Sequence, residues 1–382
     1  MNAKGQTGLP RVALVSVGLG QIQRGFERYF SDLFEVLRDH LPVTLFKSGG
    51  AHGAQEKIPR LLRPTRAILR AVPLNGLTGR SEYPQYKPDC AAFGLSLLPE
   101  LWGNRFDVIH CIDPPLAAVL QRLQRMFRLP GRLLFTEGSL MPPPYYPPEA
   151  HVHHVALAQF QEAVAMGIPE SRMTMVPCGI HAERFDVAAD RHELRRKYGV
   201  AESTFVILAV TAVKRIHKRV HYLIEEVSGL EGDFLLWIDG NPADPAVPEL
   251  AREKLGSRCR ITHLPSSDLP ELYRLADVLV HAALEESFGL AVVEALASGL
   301  PVLAHDSPHF EWLIGDRNCL VDMRVSGKLA ARLHELAARR DELAAGAQTR
   351  ATRVRRAFDW RGLTPAYVEM YRKVAALPSR LT

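Results

Sequence analysis

Apolar runs of strand length alternate along this chain with amphipathic stretches and clusters of turn-forming residues. RVALVSV (11–17) has the unbroken apolar character of a strand buried on both faces, and QRGFERYFSDLFEVLRDH (23–40) repeats its apolar residues at helical spacing. PVTLF (42–46) reads as the second strand, whereas residues 50–105 are rich in Gly, Pro and Arg and predict surface excursions. Regularity returns with FDVIHCI (106–112), after which Asp113 is placed to cap a helix whose first turn accepts Pro114 and Pro115. RLLFT (132–136) is another strand, and the prolines of LMPPPYYPPEA (140–150) require a loop. HHVALA (153–158), a helix over 159–167, RMTMV (172–176) and the break PCGIHAERFD (177–186) complete the first half.

Beyond residue 190 the alternation restarts, with strands TFVILAV, DFLLWID, CRITHL, DVLVHA and PVLAH separated by helical stretches. The end, RVRRAFDWRGLTPAYVEMYRKVAAL, is helical with a break at DWRG. Strand–helix alternation of this kind predicts parallel sheets covered by helices, and the restart predicts two such α/β domains. One unit is sharply punctuated. In EESFGLAVVEALASGLPVLAH (285–305), Ser287 and Gly289 suit the turn that opens a short helix, Gly299 sits where a C′ glycine belongs, and Pro301 forbids continuation. Glu286 then falls in the loop after a strand and Glu294 about one turn into the helix. In doubly wound sheets ligands bind outside the carboxyl ends of the strands. The N–H groups near Gly289 and Leu290 are suited to an anion. Carboxylates beside an anion-binding helix start suit a ligand that carries both hydroxyls and phosphate.

Composition narrows the class. The 382 residues favour two domains, and 47% hydrophobic with 23% charged residues is ordinary for a globular protein. Cys90, Cys111, Cys178, Cys259 and Cys319 are scattered and odd in number, which argues against a disulfide framework or a zinc site and for a reducing cytosol. MNAKGQTGLP lacks an apolar leader core, and no run approaches the roughly 18 apolar residues of a membrane span. The expectation is a cytoplasmic chain, neither exported nor membrane-spanning. Its net charge of +5 is mild, but Lys57, Arg60, Arg63, Arg66 and Arg70 recur every three or four residues with no acidic residue between Glu56 and Glu82. A solvated helix face is the plain reading. A seat for an anionic membrane surface, and so a place at the inner face of the membrane, or for a phosphate-bearing acceptor, is the sharper one. Pro64 interrupts the pattern. No aromatic platform accompanies the charge, so nucleic acid is not an expected partner.

Two loops invite a phosphate reading. VGLGQIQRG (17–25) follows the first strand, but a dinucleotide fingerprint needs glycine where Gln23 stands and an acidic residue near Phe46-Lys47-Ser48. A nicotinamide enzyme is thereby disfavoured. In VTAVKRIHKRVHYLI (210–224), Lys214, Arg215, His217, Lys218 and Arg219 crowd a strand-to-helix loop at the ligand edge of the sheet, where a diphosphate would relieve their repulsion. His151, His153 and His154 have the look of metal ligands, but their spacing beside a strand fits loop and strand faces better, and no metal is expected.

Together these residues resemble the family-4 glycosyltransferases, retaining enzymes of the GT-B fold. ESFGLAVVE (286–294), followed by ALASGLPV, is similar to that family's E-x7-E motif. VPCGIHAERF (176–185) resembles its interdomain V-P-N-G-V-D-x-x-R-F, RGFERYF (24–30) its G-G-x-E-R, and FDVIHCIDPPLAA (106–118) its D-V-I-H strand. The resemblance implies two Rossmann-like domains with parallel sheets facing a cleft, residues 1–180 on the acceptor side and 181–359 binding a nucleotide sugar. Residues 360–382 would form a C-terminal helix crossing back to the first domain. It also implies transfer of a hexosyl group from a UDP-, GDP- or ADP-sugar to a glycan, lipid-linked or small-molecule acceptor, with no cofactor and no metal.

The implied roles follow position by position. Glu286 would bind hydroxyls of the donor sugar and Glu294 the ribose, with Phe288, Gly289 and Leu290 presenting N–H groups. Lys218 would neutralise the leaving diphosphate, helped by Arg215 or Lys214, and Gly25 would be the first-domain loop glycine. On the acceptor side the candidates are Gly20, Glu137, Tyr145 and His110. Three departures stand out. Ala212 occupies the place of the family's partner arginine, Glu137 in FTEGS that of a frequent histidine, and Ser307-Pro308 that of a Gly-Gly turn. Two other readings stay open: a non-catalytic sugar-nucleotide-binding subunit, and a glycoside hydrolase using Glu286 and Glu294 as its carboxyl pair.

Overall fold

The first apolar run forms β1 (Val12–Ser16), buried along its whole length. The computed structural model describes residues 8–21, 25–60 and 86–378. Arg63, Arg66 and Arg70 of the basic run and Gln23 of the glycine-rich loop lie outside them. Around β1 stand β2 (Val43–Lys47), β3 (Glu56–Lys57), β4 (Val108–Cys111), β5 (Arg132–Glu137), β6 (His151–His154) and β7 (Met173–Met175). Among the described residues they make one seven-stranded sheet in the order β3-β2-β1-β4-β5-β6-β7. Every pairing is parallel, with Val12 opposite both Val43 and Val108. Parallel strands need helical crossovers. These are α1 (Gly25–Leu37), α2 (Lys87–Asn104), α3 (Pro114–Phe127) and α4 (Leu157–Ala165). The core they close over includes Phe46, Phe93 and Phe135, all fully buried, each worth roughly 1.5–3 kcal/mol of apolar transfer.

Three local expectations are corrected. The stretch 50–105 is not all surface excursion, because α2 occupies its last third and buries Cys90, Ala91, Ala92, Phe93 and Leu97. Pro88 in its first turn and Pro99 within it disguise the helix. Strand β6 is His151–His154, two residues ahead of the expected run, and Ala156 already stands at the N-cap of α4. Asp113 does occupy the N-cap of α3, but its side chain makes no capping bond and instead accepts from the Val17 N–H at 3.3 Å. That ties the loop after β1 to the loop after β4.

Contacts divide the chain into two units, residues 1–179 with 363–382, and residues 180–362. The second is built on β8 (Phe205–Val210), β9 (Phe234–Asp239), β10 (Cys259–Thr262), β11 (Val278–His281), β12 (Val302–His305) and β13 (Leu320–Val321). Their order is β10-β9-β8-β11-β12-β13, again parallel throughout. Its helices are α5 (Arg191–Lys197), α6 (Val220–Ser228), α7 (Ala246–Leu255), α8 (Leu269–Leu275), α9 (Leu290–Ala297), α10 (Pro308–Ile314), α11 (Lys328–Ala338), α12 (Arg340–Ala345) and α13 (Ala347–Phe358). Strand order reverses between β8 and β11, so the loops that leave these two strands flank the topological switch point.

One charged cluster anchors β11 at the end opposite those loops. Asp277 is buried and accepts from Arg195 at 2.7 Å, Arg340 at 2.6 Å and the Val206 N–H at 2.8 Å. Arg195 itself is fully buried, and burial lowers its guanidinium against the pull of Asp277. The second unit is also closed on itself: Ile180 N–H donates to Phe358 at 2.8 Å and Trp360 N–H to Ile180 at 3.0 Å. After the extended Asp359 the chain continues as α14 (Trp360–Ala375). From Leu363 onward it packs in the first unit, where Tyr371 Oη lies 2.7 Å from His110 Nδ1 and Tyr367 Oη donates to Pro177 at 2.9 Å.

Candidate active site

The loop leaving β8 is shaped by its backbone before its charges matter. His217 and Arg219, on either side of Lys218, both hold positive φ, 64° and 49°, a conformation that L side chains adopt at a cost. Lys218 N–H donates to Ile216 at 2.8 Å and Arg219 N–H to Arg215 at 3.0 Å. The tight winding separates the cations. Arg219 donates to the carbonyls of Ala282 at 3.3 Å and Met323 at 3.0 Å and covers the Tyr222 ring. Arg215 pairs with Asp244 at 2.7 Å on the exposed side. Lys214 is half-buried and His217 exposed. Lys218 alone of this group pairs with Glu286.

The loop leaving β11 brings Glu286 to meet it. One carboxylate oxygen, Oε1, accepts from the Ser287 N–H at 3.1 Å and lies 3.4 Å from Ser287 Oγ. The other, Oε2, takes the Lys218 ammonium and also His281 Nε2, 3.1 Å away at the end of β11. Burial alone would raise this carboxyl, but the His281 hydrogen bond and the Lys218 charge outweigh it and hold Glu286 well below the usual carboxylate range. Thr211, at the exit of β8, lines a small cavity with Lys218, His281 and Ala282. Its Oγ1 is buried without a hydrogen-bond partner.

Gly289 closes the loop at φ 98° and stands at the N-cap of α9, a conformation that only glycine adopts without strain. The Val292 and Val293 N–H groups donate to the Gly289 carbonyl at 2.9 and 3.2 Å, and those of Leu290 and Ala291 precede any intrahelical acceptor. Phe288 is buried against Trp312 and Phe358, with ring centroids at 6.3 and 5.7 Å, and its carbonyl lies 3.0 Å from His309 Nε2. Glu294, on α9, is 2% exposed and accepts from Tyr273 Oη at 2.8 Å. Trp312 therefore packs beside the loop. The loop–helix–strand unit stands as its sequence reads, down to Gly299 at φ 79° after the C-cap Ser298.

The first unit's candidates are dispersed by the fold. Gly20, at φ 80°, presses against Gly49 of the loop after β2, where a Cβ would collide with backbone. Gly25 opens α1 and is exposed. Tyr145 is 54% exposed in the turn Pro143–Tyr145. Glu137 ends β5 almost fully buried, its carboxylate turned back to accept from Ser139 N–H at 2.8 Å and Met141 N–H at 3.0 Å. Burial pushes this carboxyl up, against the pull of those bonds.

His110 must be removed from the ligand-facing set. It is fully buried, and both ring nitrogens are engaged, Nδ1 with Tyr371 Oη and Nε2 with Thr136 Oγ1 at 2.6 Å. Thr136 continues the chain to His153 Nδ1 at 2.9 Å, and His153 Nε2 lies 2.8 Å from the Val176 carbonyl. His151 and His154 flank it in the same buried strand.

Reasoning from sequence missed His281, Tyr273, His309 and Asp244. Only His281 carried a readable signal, as the last residue of a strand five positions before Glu286. The others come from elements whose approach no local pattern encodes.

Two wholly parallel sheets, each covered by helices, make an α/β fold of the GT-B class. Sucrose-phosphate synthase from Thermosynechococcus elongatus shares it with a TM-score of 0.77 at 17% identity, over 96% of this chain and 99% of that one. HepE of Anabaena, solved with UDP-glucose, has a TM-score of 0.72 at 17% identity, covering 95% and 99%. Residues 190–353 match the family Glycosyl transferases group 1. The D-inositol 3-phosphate glycosyltransferase of Geodermatophilus obscurus is 31% identical over 235 residues, 56% of this chain and 51% of that protein. The chain thus spans about half the length of that relative.

Proposed function

We propose that this chain is a retaining glycosyltransferase of the family-4 type, moving a hexosyl group from a nucleotide-diphosphate sugar to a hydroxyl acceptor. The observation that carries the reading is the meeting of Lys218, Glu286 and the start of α9 at the switch point of the second sheet. Those groups answer the three chemical parts of such a donor. The diphosphate faces an ammonium and a helix N-terminus, the sugar hydroxyls face an ionised carboxylate, and Glu294 is assigned to the ribose.

In the transfer the bond from the anomeric carbon to the β-phosphate oxygen breaks, and its electron pair leaves with the diphosphate. The acceptor oxygen bonds to the same face of that carbon, and its proton passes to the departing phosphate. Charge builds on the leaving group, where a fixed cation and aligned N–H groups stabilise it most. This assignment uses Lys218 and α9, with Lys214 and Arg215 on the same loop, and asks for no metal. Glu286 is the orienting ligand of the sugar, because a carboxylate held so far into its ionised form is a poor proton donor near neutral pH. The same fact weighs against Glu286 as the acid of a hydrolase.

We assign acceptor selection to the first unit, through Gly20, Gly25 and the Tyr145 turn; Glu137, buried and bonded to the Ser139 and Met141 N–H groups, shapes the loop after β5 instead. A glycan, a lipid-linked molecule and a small molecule are the acceptor classes of this reading, and the D-inositol 3-phosphate glycosyltransferase among the relatives supports the last. Contact with an anionic membrane face enters through the basic stretch, of which Lys57 pairs with Glu100 at 3.2 Å. Among the described residues no helix is long and apolar enough to cross a membrane.

A second reading, a non-catalytic sugar-nucleotide binder, is favoured by Ala212 in place of an arginine. Incubation with UDP-, GDP- and ADP-glucose in the presence of EDTA and a panel of glycan, glycolipid and inositol phosphate acceptors decides between them. One product with the donor's anomeric configuration is expected. Binding of a donor without turnover against any acceptor would leave the binder.

A further inference from the structure

The pairing of Lys218 with Glu286 raises a question that the donor reading must answer, and the inference drawn here rests on that reading. In the structure the ammonium and the carboxylate satisfy each other. A bound diphosphate carries more negative charge than one carboxylate and competes for the same ammonium. Lys218 sits on a wound loop at the end of a long flexible stem, so it can move to that ligand. Glu286 Oε2 then loses the ammonium that it holds in the structure.

His281 is the group that stays. It ends β11, a central strand flanked on both sides by β8 and β12, and is only 6% exposed. Its ring lies 5.4 Å from that of Phe310, and its Nε2 is 3.1 Å from Glu286 Oε2. An ionised carboxylate only accepts, so His281 donates. A donor on a strand is fixed more firmly than one on a loop. On the other oxygen the Ser287 N–H is equally local.

We infer that His281 is a positioning residue for Glu286: it keeps the carboxylate aimed at the donor sugar after Lys218 has transferred to the diphosphate. A division of labour follows. Lys218 governs how tightly the nucleotide part binds, and His281 governs how productively the sugar is held. Loss of His281 therefore acts on turnover and spares affinity for a nucleoside diphosphate that lacks a sugar.

The test uses the full chain with His281→Leu, which keeps bulk and removes the donor, and His281→Gln, whose amide N–H reaches the place of Nε2. Calorimetry with UDP, GDP and ADP gives affinity. Release of nucleoside diphosphate from UDP-, GDP- or ADP-glucose gives kcat and KM. For His281→Leu, we expect nucleoside diphosphate affinity within about twofold of wild type and kcat lowered at least about tenfold, equivalent to about 1.4 kcal/mol, with a smaller change in KM. His281→Gln should recover most of the lost kcat. Unchanged kcat in His281→Leu overturns the inference. So does parallel loss of nucleotide affinity and turnover in both variants, which marks a structural residue. Absence of nucleotide binding by the wild type is a separate result; it overturns the donor site itself, and this role with it.

Discussion

Lys218 and Glu286 illustrate how one pair can be read at the scale of single residues. Each is the other's partner in the structure, so removing either leaves a half-buried charge behind. Lys218→Ala is expected to weaken nucleoside diphosphate binding by roughly tenfold to a hundredfold, the range of one charge-assisted contact. It should also let Glu286 titrate closer to the ordinary carboxylate range. The sign is definite. Glu286 is held below its ordinary value of 4.5, so it contributes stability above that pH that is lost on acidification. Lys218→Ala should flatten the acid limb of a melting-temperature profile, and an identical limb in both proteins would contradict the ion pair. Asp277 gives a contrasting case with no link to ligand. It is buried among arginines, and Asp277→Asn should cost about 3–5 kcal/mol in denaturant unfolding, far more than a surface substitution.

At the scale of elements, helix α14 is joined to the first sheet through a polar chain: Tyr371, His110, Thr136, His153 and the Val176 carbonyl. Burial lowers His110, and lowers His151 and His153 to about 4 and His154 to about 3. These rings are neutral in the fold and take up protons more readily once it opens. Stability therefore falls as pH drops from about 6.5 towards 4, by about 1.4 kcal/mol per pH unit for each fully buried ring. A urea midpoint that stays flat over that window would contradict the arrangement. Tyr371→Phe leaves His110 Nδ1 without its partner and should cost about 1–3 kcal/mol.

This network also marks where sequence stops being informative. The loop–helix–strand unit around Glu286 is legible because Gly289, Gly299 and Pro301 are each demanded by local backbone geometry. Strands such as Phe205–Val210 and Phe234–Asp239 are legible because a buried parallel strand is continuously apolar. Helix α2 is not, since it buries residues on more than one face and carries Pro99. The acceptor-side candidates suffered from the same limit: His110 ends an apolar run in either case, and only its burial beneath α14 shows that it serves the core. His281 was visible at a strand end, but its bond to Glu286 depends on how a loop folds back.

At the scale of the whole chain, the groups assigned to the donor, Lys218, Glu286 and Glu294, all lie within residues 180–362. That unit is continuous in sequence and closed by the Ile180–Phe358 and Trp360–Ile180 hydrogen bonds. A fragment of residues 180–362 should fold cooperatively and bind the nucleoside diphosphate within about tenfold of the full chain. The first unit is discontinuous. It takes residues 363–382 from the far end of the sequence, so residues 1–179 alone should be unstable and gain protection when a 363–382 peptide is added. Hydrogen exchange on the fragments reads both outcomes.

The proposed donor site depends first on Lys218 as the ligand of a diphosphate. Its most direct test is a calorimetric titration of the full chain and of Lys218→Ala with UDP, GDP and ADP, with EDTA present throughout. One nucleotide should bind the wild type clearly better than the other two, without metal, and Lys218→Ala should weaken it at least tenfold. Equal affinity in the two proteins, or no binding of any nucleotide, would contradict it.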